Sequence, residues 1–256
     1  MNIAVLIKSV IATDEPIRVV QGAIDEHAAK RTINPYDEYA LEEALRIKEK
    51  HGGTVTVLSL GGEATVEALR TALAMGADEA IWIREETGAL DEHAVSIILA
   101  NALQARTYDL LLAGHLSIDN GAGQVAVRVA ELLGWPHAGA VTACRVENGA
   151  VCVTRDAEGD SERWELPRPA VLTAQQGLNE PRYPALAGIM KAKRKPLAEL
   201  DATALGGSAA VPRAERFGCE APPARPPGRR LAGSPREQAA ELLALLRNEA
   251  KVLERK

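Results

Sequence analysis

The chain has 256 residues, 46% apolar and 25% charged, enough for one or two packed domains and unlike a disordered or collagen-like chain. Lys and Arg number 30 against 35 Asp and Glu, a formal charge of −5, so no global basic field recruits nucleic acid. No apolar run reaches the roughly 18 residues of a membrane span, the N-terminus lacks a leader-like basic and apolar segment, and three scattered cysteines (Cys144, Cys152, Cys219) form neither a metal-spaced cluster nor a disulfide framework.

A cytoplasmic setting is the expectation. Residues 3–7 form a continuous apolar run, as in a strand buried on both faces. Residues 17–24, turning at Gln21-Gly22, suggest a small hairpin. Asn34-Pro35 opens a helix with Asn at the N-cap, Pro at N1 and the acids Asp37 and Glu38 at the positive end of the dipole; Gly52-Gly53 closes it. Strand signals follow at 54–60, 80–83 and 110–113. They alternate with helices ending at Gly76, at Leu103 after an Asp91 cap, and at Leu133-Gly134. This alternation predicts a doubly wound, mostly parallel α/β sheet with right-handed crossovers.

After Trp135-Pro136 the period changes to two. Residues 141–147, the turn Asn148-Gly149 and residues 151–155 form a hairpin extension, with further strands at 163–166 and 170–175. Cys144 and Cys152 read as residues of that hairpin. The α/β domain is placed at 1–204. An extended Pro/Gly/Arg-rich arm spans 205–235, including Pro222-Pro223 and Pro226-Pro227-Gly228. An amphipathic helix at 236–256 opens on the capping box Ser234-Pro235-Arg236-Glu237. Its stripe of Ala239, Leu242, Leu243, Leu246, Ala250 and Leu253 is to be buried on a partner subunit or back on the same domain.

Ligands of open α/β sheets sit beyond the carboxyl ends of the strands, at the switch point. Residues 6–9, 59–62 and 114–125 converge there. The last segment reads Gly114-His115-Leu116-Ser117-Ile118-Asp119-Asn120-Gly121-Ala122-Gly123-Gln124-Val125. Small residues, hydroxyl and amide groups before a helix N-terminus suit a phosphate; an ordinary Gly-rich loop is the alternative. Gly121, Gly123 and Ala126 resemble a dinucleotide fingerprint but start too far from their strand. Aromatic residues are only 3%, which argues against a site built on stacking. His27, His51, His93, His115 and His137 are not paired at metal spacing; only His115 lies in the candidate loop. There is no G-x-S-x-G and no Walker A sequence, so catalytic residues are not expected.

Residues 177–196 contain Pro181 and Pro184, an apolar Leu186, and the cations Lys191, Lys193, Arg194 and Lys195. A stiff loop with one apolar anchor beside a basic patch suits docking; a helix with a solvated basic end is the alternative.

Here the residues carry a family resemblance. Asn179-Glu180-Pro181-Arg182-Tyr183-Pro184-Ala185-Leu186, with Ile189-Met190-Lys191-Ala192-Lys193, resembles the signature of the electron-transfer flavoprotein beta subunit. Ile33-Asn34-Pro35-Tyr36-Asp37-Glu38, residues 70–78, Ser117-Ile118-Asp119, residues 132–136 and residues 245–251 support it; the arm from about 206 to 235 finds no match.

The resemblance implies an adenine-nucleotide alpha hydrolase-like fold. It also implies a heterodimer whose alpha subunit carries the redox-active FAD, with acyl-CoA or related dehydrogenases as donors and a quinone reductase as acceptor. The beta chain would bind AMP structurally through Leu6, Asn34, Pro35, Tyr36, Asp37, Leu60 and the twelve residues from Gly114 to Val125. Docking would use Tyr183, Leu186, Ile189, Met190, Lys191 and Lys193.

Two departures bear on the nucleotide. The usual AMP loop has consecutive acids and Asn-Gln-Thr, whereas this one has Asp119-Asn120 and Gln124-Val125. Electron-bifurcating relatives, with a second FAD in the beta subunit, share Gln-Val but continue Gly-Pro where this chain has Ala126-Val127. AMP is the expectation and FAD the alternative. A stand-alone nucleotide hydrolase or stress-type sensor is a third reading, without a Walker-type Lys-Ser/Thr to support it.

Overall fold

The computed structural model describes residues 1–25, 29–86, 90–225 and 227–253. His27, Pro226 and the last three residues of the expected C-terminal helix lie outside the described residues. Two compact units are formed, Met1–Cys219 and Glu220–Lys256.

The first unit begins with β1 (Asn2–Leu6), β2 (Ser9–Ile11), the small hairpin β3 (Val19–Val20) and β4 (Ala23–Ile24), and β5 (Arg31–Ile33). It continues with α1 (Pro35–His51), β6 (Thr54–Gly61), α2 (Thr65–Met75), β7 (Glu79–Arg84), α3 (Glu92–Gln104), β8 (Leu110–Gly114) and α4 (Val125–Leu133). Then come β9 (His137–Glu147), β10 (Ala150–Ala157), β11 (Asp160–Pro167), β12 (Ala170–Ala174), α5 (Leu186–Ala192), β13 (Leu197–Asp201) and α6 (Ala202–Gly206).

These strands build a nine-stranded sheet in the order β11-β10-β9-β12-β8-β1-β6-β7-β13. Neighbours run parallel from β9 to β13, and β10 and β11 add an antiparallel meander at one edge. The expected mostly parallel α/β fold is therefore observed. Alternation along the central strands explains the layers. Ile3, Val5, Leu110 and Leu112 face a core shared with Leu41 and Leu45 of α1 and Leu69 and Leu73 of α2. Ala4, Leu6, Leu111 and Ala113 face the opposite core, with Ile98 and Leu103 of α3 and Val129 of α4.

The chain adds β6 and β7 on one side of β1, then crosses to place β8 on the other. The switch point thus lies between the carboxyl ends of β1 and β8, where a ligand crevice is expected.

Three features differ from the sequence reading. An edge strand, β13, pairs with β7, although residues 197–201 carried no strand signal. Residues 186–192 are helical, so Leu186 starts a helix instead of sitting in a loop. The basic stretch is also not uniformly solvated. Lys195 Nζ donates to Leu73 O (3.0 Å) and Ala77 O (2.5 Å) at the end of α2. In return, Arg70 of α2 donates to Ala192 O (2.8 Å) and Lys195 O (3.1 Å). Each cation donates to carbonyls at or just beyond a helix end. Gly188 makes this approach sterically possible, since a Cβ there would lie 2.3 Å from Ala74 O.

In the second unit α7 (Pro235–Asn248) opens on the expected capping box of Ser234 and Glu237, with Pro235 at its start. None of its residues is buried, and Leu242 and Leu243 of the expected stripe are exposed.

Lys195→Met keeps the apolar stem and removes both donors. Leaving the Leu73 and Ala77 carbonyls unpartnered is expected to cost about 1–2 kcal/mol, read as a lower urea midpoint. An unchanged midpoint would mean that water replaces the ammonium at no cost.

Candidate functional site

The site starts from a carboxylate. Asp37 lies in the first turn of α1, where it accepts from Lys8 N (2.7 Å) beyond β1 and Gly114 N (2.9 Å) at the end of β8. It is nearly inaccessible, and burial pushes its carboxyl up to about 7 against the pull of those bonds. Gly114 has to lack a side chain. A Cβ there would sit 2.3 Å from Asp37 Oδ1 and 2.7 Å from Tyr36 Cβ.

Asn34 occupies the N-cap position of α1, as expected, yet its side chain makes no cap. Its Nδ2 donates to Leu116 O (2.9 Å), and its Oδ1 accepts from Ile118 N (3.2 Å). The side chain therefore holds the 115–124 loop across the switch point. Lys8 Nζ reaches the same loop, at Asp119 Oδ1 (2.8 Å) and Ser117 Oγ (3.3 Å). Burial opposes ionisation of Asp119, but the bonds and charge from Lys8 and Ser117 outweigh it and hold the carboxyl below its ordinary value. Asn120 Oδ1 accepts from Ser117 Oγ and Ala122 N, both at 3.0 Å, while its Nδ2 donates to Glu92 Oε1 (3.1 Å).

Two helices start at this edge and end differently. Asp91 caps α3 by accepting from Ala94 N (2.9 Å); its other oxygen accepts from Arg213 N (2.7 Å) and Ala214 N (3.0 Å). In α4 the N-cap residue is Gln124, which makes no side-chain cap. Its Oε1 instead accepts from Arg128, at 2.8 and 3.1 Å. The first amides of α4, with the positive end of its dipole, are left for an anion.

A cavity of about 320 Å³ lies between these elements. Of the expected residues it is lined by Leu6, Asn34, Asp37, Leu60, Gly114, His115, Leu116, Ser117, Asn120, Ala122, Gly123, Gln124 and Val125. Five others stand outside its lining. Pro35 borders a second, smaller cavity, Tyr36 backs Gly114, and Ile118 is partly exposed. Asp119 acts through Lys8, and Gly121 supplies a left-handed turn at φ 65°.

Sequence reasoning missed Glu85, Leu90, Asp91, Glu92, Val95 and Arg216 of the lining. Asp91 was read only as a cap. Arg216, ion-paired with Glu92, arrives from the region read as an arm and carries no local signal. His115 Nδ1 lies 3.2 Å from Thr173 Oγ1. Burial, then the charge of Arg155, holds its imidazole below the ordinary value.

On a different edge, Tyr183 is 94%, Leu186 78% and Met190 61% exposed. Ile189, Lys191 and Lys193 are exposed too. Leu186 is thus exposed together with Tyr183, Ile189 and Met190. Among the described residues no cluster of His, Cys, Asp or Glu could hold a metal ion, and no helix is long and apolar enough to cross a membrane.

A family model described as the electron transfer flavoprotein domain matches residues 21–205. The electron transfer flavoprotein subunit beta of Bacillus subtilis (strain 168) is 46% identical over 257 residues, covering 99% of this chain and all of the relative. The protein of the same name from Syntrophomonas wolfei is 38% identical, covering 98% of this chain and 99% of the relative. That from Dictyostelium discoideum is 36% identical over 77% of this chain and 80% of its own.

The chain belongs to the electron transfer flavoprotein beta-subunit family.

Membership places it among electron carriers and not among enzymes that make or break bonds with their own side chains. The electron transfer flavoprotein match spans both the switch-point loop and the exposed segment around Leu186.

Asp37 gives this site a pH signature. Its carboxyl rises from 3.8 in the unfolded chain to about 7 in the fold. Between those values the unfolded chain releases a proton that the folded chain keeps, so the contribution of Asp37 to stability falls as pH rises. The stability of the wild type minus that of Asp37→Asn should therefore shrink between about pH 4 and 7 in urea titrations. A difference that grows with pH would mean that the two amide bonds outweigh burial.

Proposed function

We propose that this chain is the beta half of a heterodimeric cytoplasmic electron carrier. On this reading it holds AMP as a structural ligand in the switch-point cavity. It docks acyl-CoA-type dehydrogenases through Tyr183, Leu186, Ile189, Met190, Lys191 and Lys193. FAD of the alpha subunit then relays the electrons to a quinone reductase. The observation that carries the nucleotide reading is the side-chain-uncapped N-terminus of α4 opening on a cavity of about 320 Å³.

The chemistry of the lining fits such a ligand. The amides at the start of α4 suit a phosphate. Leu6, Leu60, Leu90 and Val95 offer an apolar wall for a base, and Ser117, Asn120 and Glu92 offer partners for sugar hydroxyls. Glu85, Asp91 and Glu92 line the same cavity. The volume lies at the low end of the roughly 300–1,000 Å³ of ligand pockets and favours a mononucleotide over a complete FAD. Flavin, when bound in the partner, supplies the redox chemistry; this chain positions and docks.

Coexpression with the alpha subunit, followed by chromatography of the acid-released nucleotides, tests the assignment. One FAD and one AMP per heterodimer are expected. Two FAD and no AMP would overturn AMP in favour of the bifurcating type.

Docking has a separate test. Leu186→Ala should slow electron transfer from the dehydrogenase at sub-saturating carrier by about tenfold or more, since a central anchor is worth about 2 kcal/mol. Assembly and nucleotide content should be retained. Unchanged transfer rates would remove Leu186 from the docking role.

A further inference from the structure

The segment leading into α5 is not held by its own backbone. Residues 179–185 form neither helix nor strand, yet they present Tyr183 and Leu186 at high exposure. What fixes them is a set of polar bonds to α1, at a sequence distance that no local pattern reveals. Arg182 Nε donates to Glu42 Oε2 (2.8 Å) and its second arm to Glu42 Oε1 (3.0 Å). The same guanidinium donates to Glu49 Oε1 (2.5 Å) and Oε2 (3.2 Å). The backbone amide of Arg182 adds a bond to Glu42 Oε2 (3.2 Å). One residue thus engages two carboxylates a helical interval apart, which only a planar fork with several donors can do.

The receiving side is rigid. The Glu42 side chain is only 4% exposed and also accepts from Arg46 at 3.0 Å. Burial opposes its ionisation, but the Arg182 bonds and charge outweigh this and hold the carboxyl below its ordinary value. A second tether lies three residues earlier, where Asn179 Nδ2 donates to Tyr39 O (3.0 Å) and Glu43 Oε2 (3.1 Å). Between the tethers, Pro181 removes a backbone freedom, and Pro184 follows the exposed Tyr183. A cavity of about 240 Å³ separates Tyr183 and the prolines from Pro35, Tyr39, Thr71 and Met75. Packing against α1 and α2 is thus incomplete at this point, and the tethers hold the leading end of the segment.

We infer that Arg182 is a positioning residue for partner docking: clamped on Glu42 and Glu49, it fixes the segment so that Leu186 meets a dehydrogenase in a prepared orientation. The inference rests on the docking reading above. Its physical content is preorganisation. An anchor already ordered before encounter loses less conformational freedom on binding, so removing the clamp weakens association without altering the electron-transfer step inside the complex. A role confined to global stability would move the unfolding midpoint and leave the KM and kcat for transfer unchanged.

The experiment uses the assembled heterodimer, with an acyl-CoA dehydrogenase as electron donor and the carrier concentration varied. Arg182→Gln is expected to raise the KM for the carrier about tenfold with kcat unchanged. Glu49→Gln, a milder change at the exposed end of the clamp, should raise it less and in the same direction. Arg182→Lys, which keeps the charge and loses the fork, should fall between Arg182→Gln and the wild type.

The deciding measurement is the double variant. If Arg182 acts by presenting Leu186, adding Arg182→Gln to Leu186→Ala should change KM by less than about twofold, because coupled positions are not additive. Multiplicative effects in the double variant, or a lowered kcat in either clamp variant, would overturn the inference. An unchanged KM in Arg182→Gln with a slowed Leu186→Ala would overturn this inference alone. A Leu186→Ala carrier that transfers normally would overturn the docking reading and this inference with it.

Discussion

One buried carboxylate sets the geometry on which the rest of the switch point depends. β1 and β8 pair in register from Ile3 with Leu110 to Val5 with Leu112, then diverge, as strands must where a crevice opens between them. Divergence leaves amides at the strand ends facing each other without ladder partners, and a buried amide needs one. Asp37, delivered by the first turn of α1, accepts from Lys8 on one side and Gly114 on the other. Its two oxygens span the gap that a backbone carbonyl could not. The arrangement tolerates no side chain at 114, so Gly114 and Asp37 are two halves of one requirement. The raised carboxyl of Asp37 is what burial at this position costs.

Around that bridge, side chains do for the 115–124 loop what backbone ladders do elsewhere. Asn34 holds its middle, Lys8 its charged tip and Asn120 its return. The result is a difference between the two helices that begin at the cavity. The start of α3 is closed by Asp91, whose carboxylate also receives two amides from residues 213 and 214. The start of α4 stays open because Gln124 turns back onto Arg128. An anion would be attracted where the dipole is uncompensated, and of these two ends only that of α4 lacks a side-chain cap.

The sequence made the central sheet legible because strands buried on both faces must be apolar without interruption, as at residues 3–7 and 110–113. The loop at 114–125 was visible through its glycines and small polar residues. Asn34 and Asp37 were also visible, as the start of α1 and, through the family resemblance, as pocket residues, but their bonds were not. Both fit the local rules of a helix start, and those rules hid bonds made to residues about eighty positions away. β13 escaped because an edge strand with one covered side reads as a mixed run, Leu197-Ala198-Glu199-Leu200-Asp201. Lys195 was counted with its cationic neighbours, although only the third dimension turns it onto the end of α2. Arg216 had no signal at all, since its place at the cavity depends on a segment fastened to Asp91.

Segment 179–195 is fastened at both ends by different means, and this bears on what a carrier surface requires. At the leading end Arg182 and Asn179 are tied to α1; at the trailing end Lys195 donates to the end of α2 while Arg70 of α2 donates back to Ala192 and Lys195, and Gly188 allows the helix to close on Ala74. The apolar side chains between these ties remain outside the core, which folding alone would not favour. A protein that must release each partner quickly gains from a small contact area, and a small area yields useful affinity only if little order has to be created at encounter. Rigid mounting of few apolar groups meets both conditions. On the proposed docking role, Lys191 and Lys193 would accelerate encounter with an acidic partner surface, because charge at the rim acts on association more than on dissociation. The same two helices that carry the mounting, α1 and α2, pack against the sheet next to the switch point, and α1 also supplies Asp37. The switch-point cavity and the exposed segment are therefore both mounted on α1, the first through Asn34 and Asp37 at its start, the second along its length from Tyr39 to Glu49.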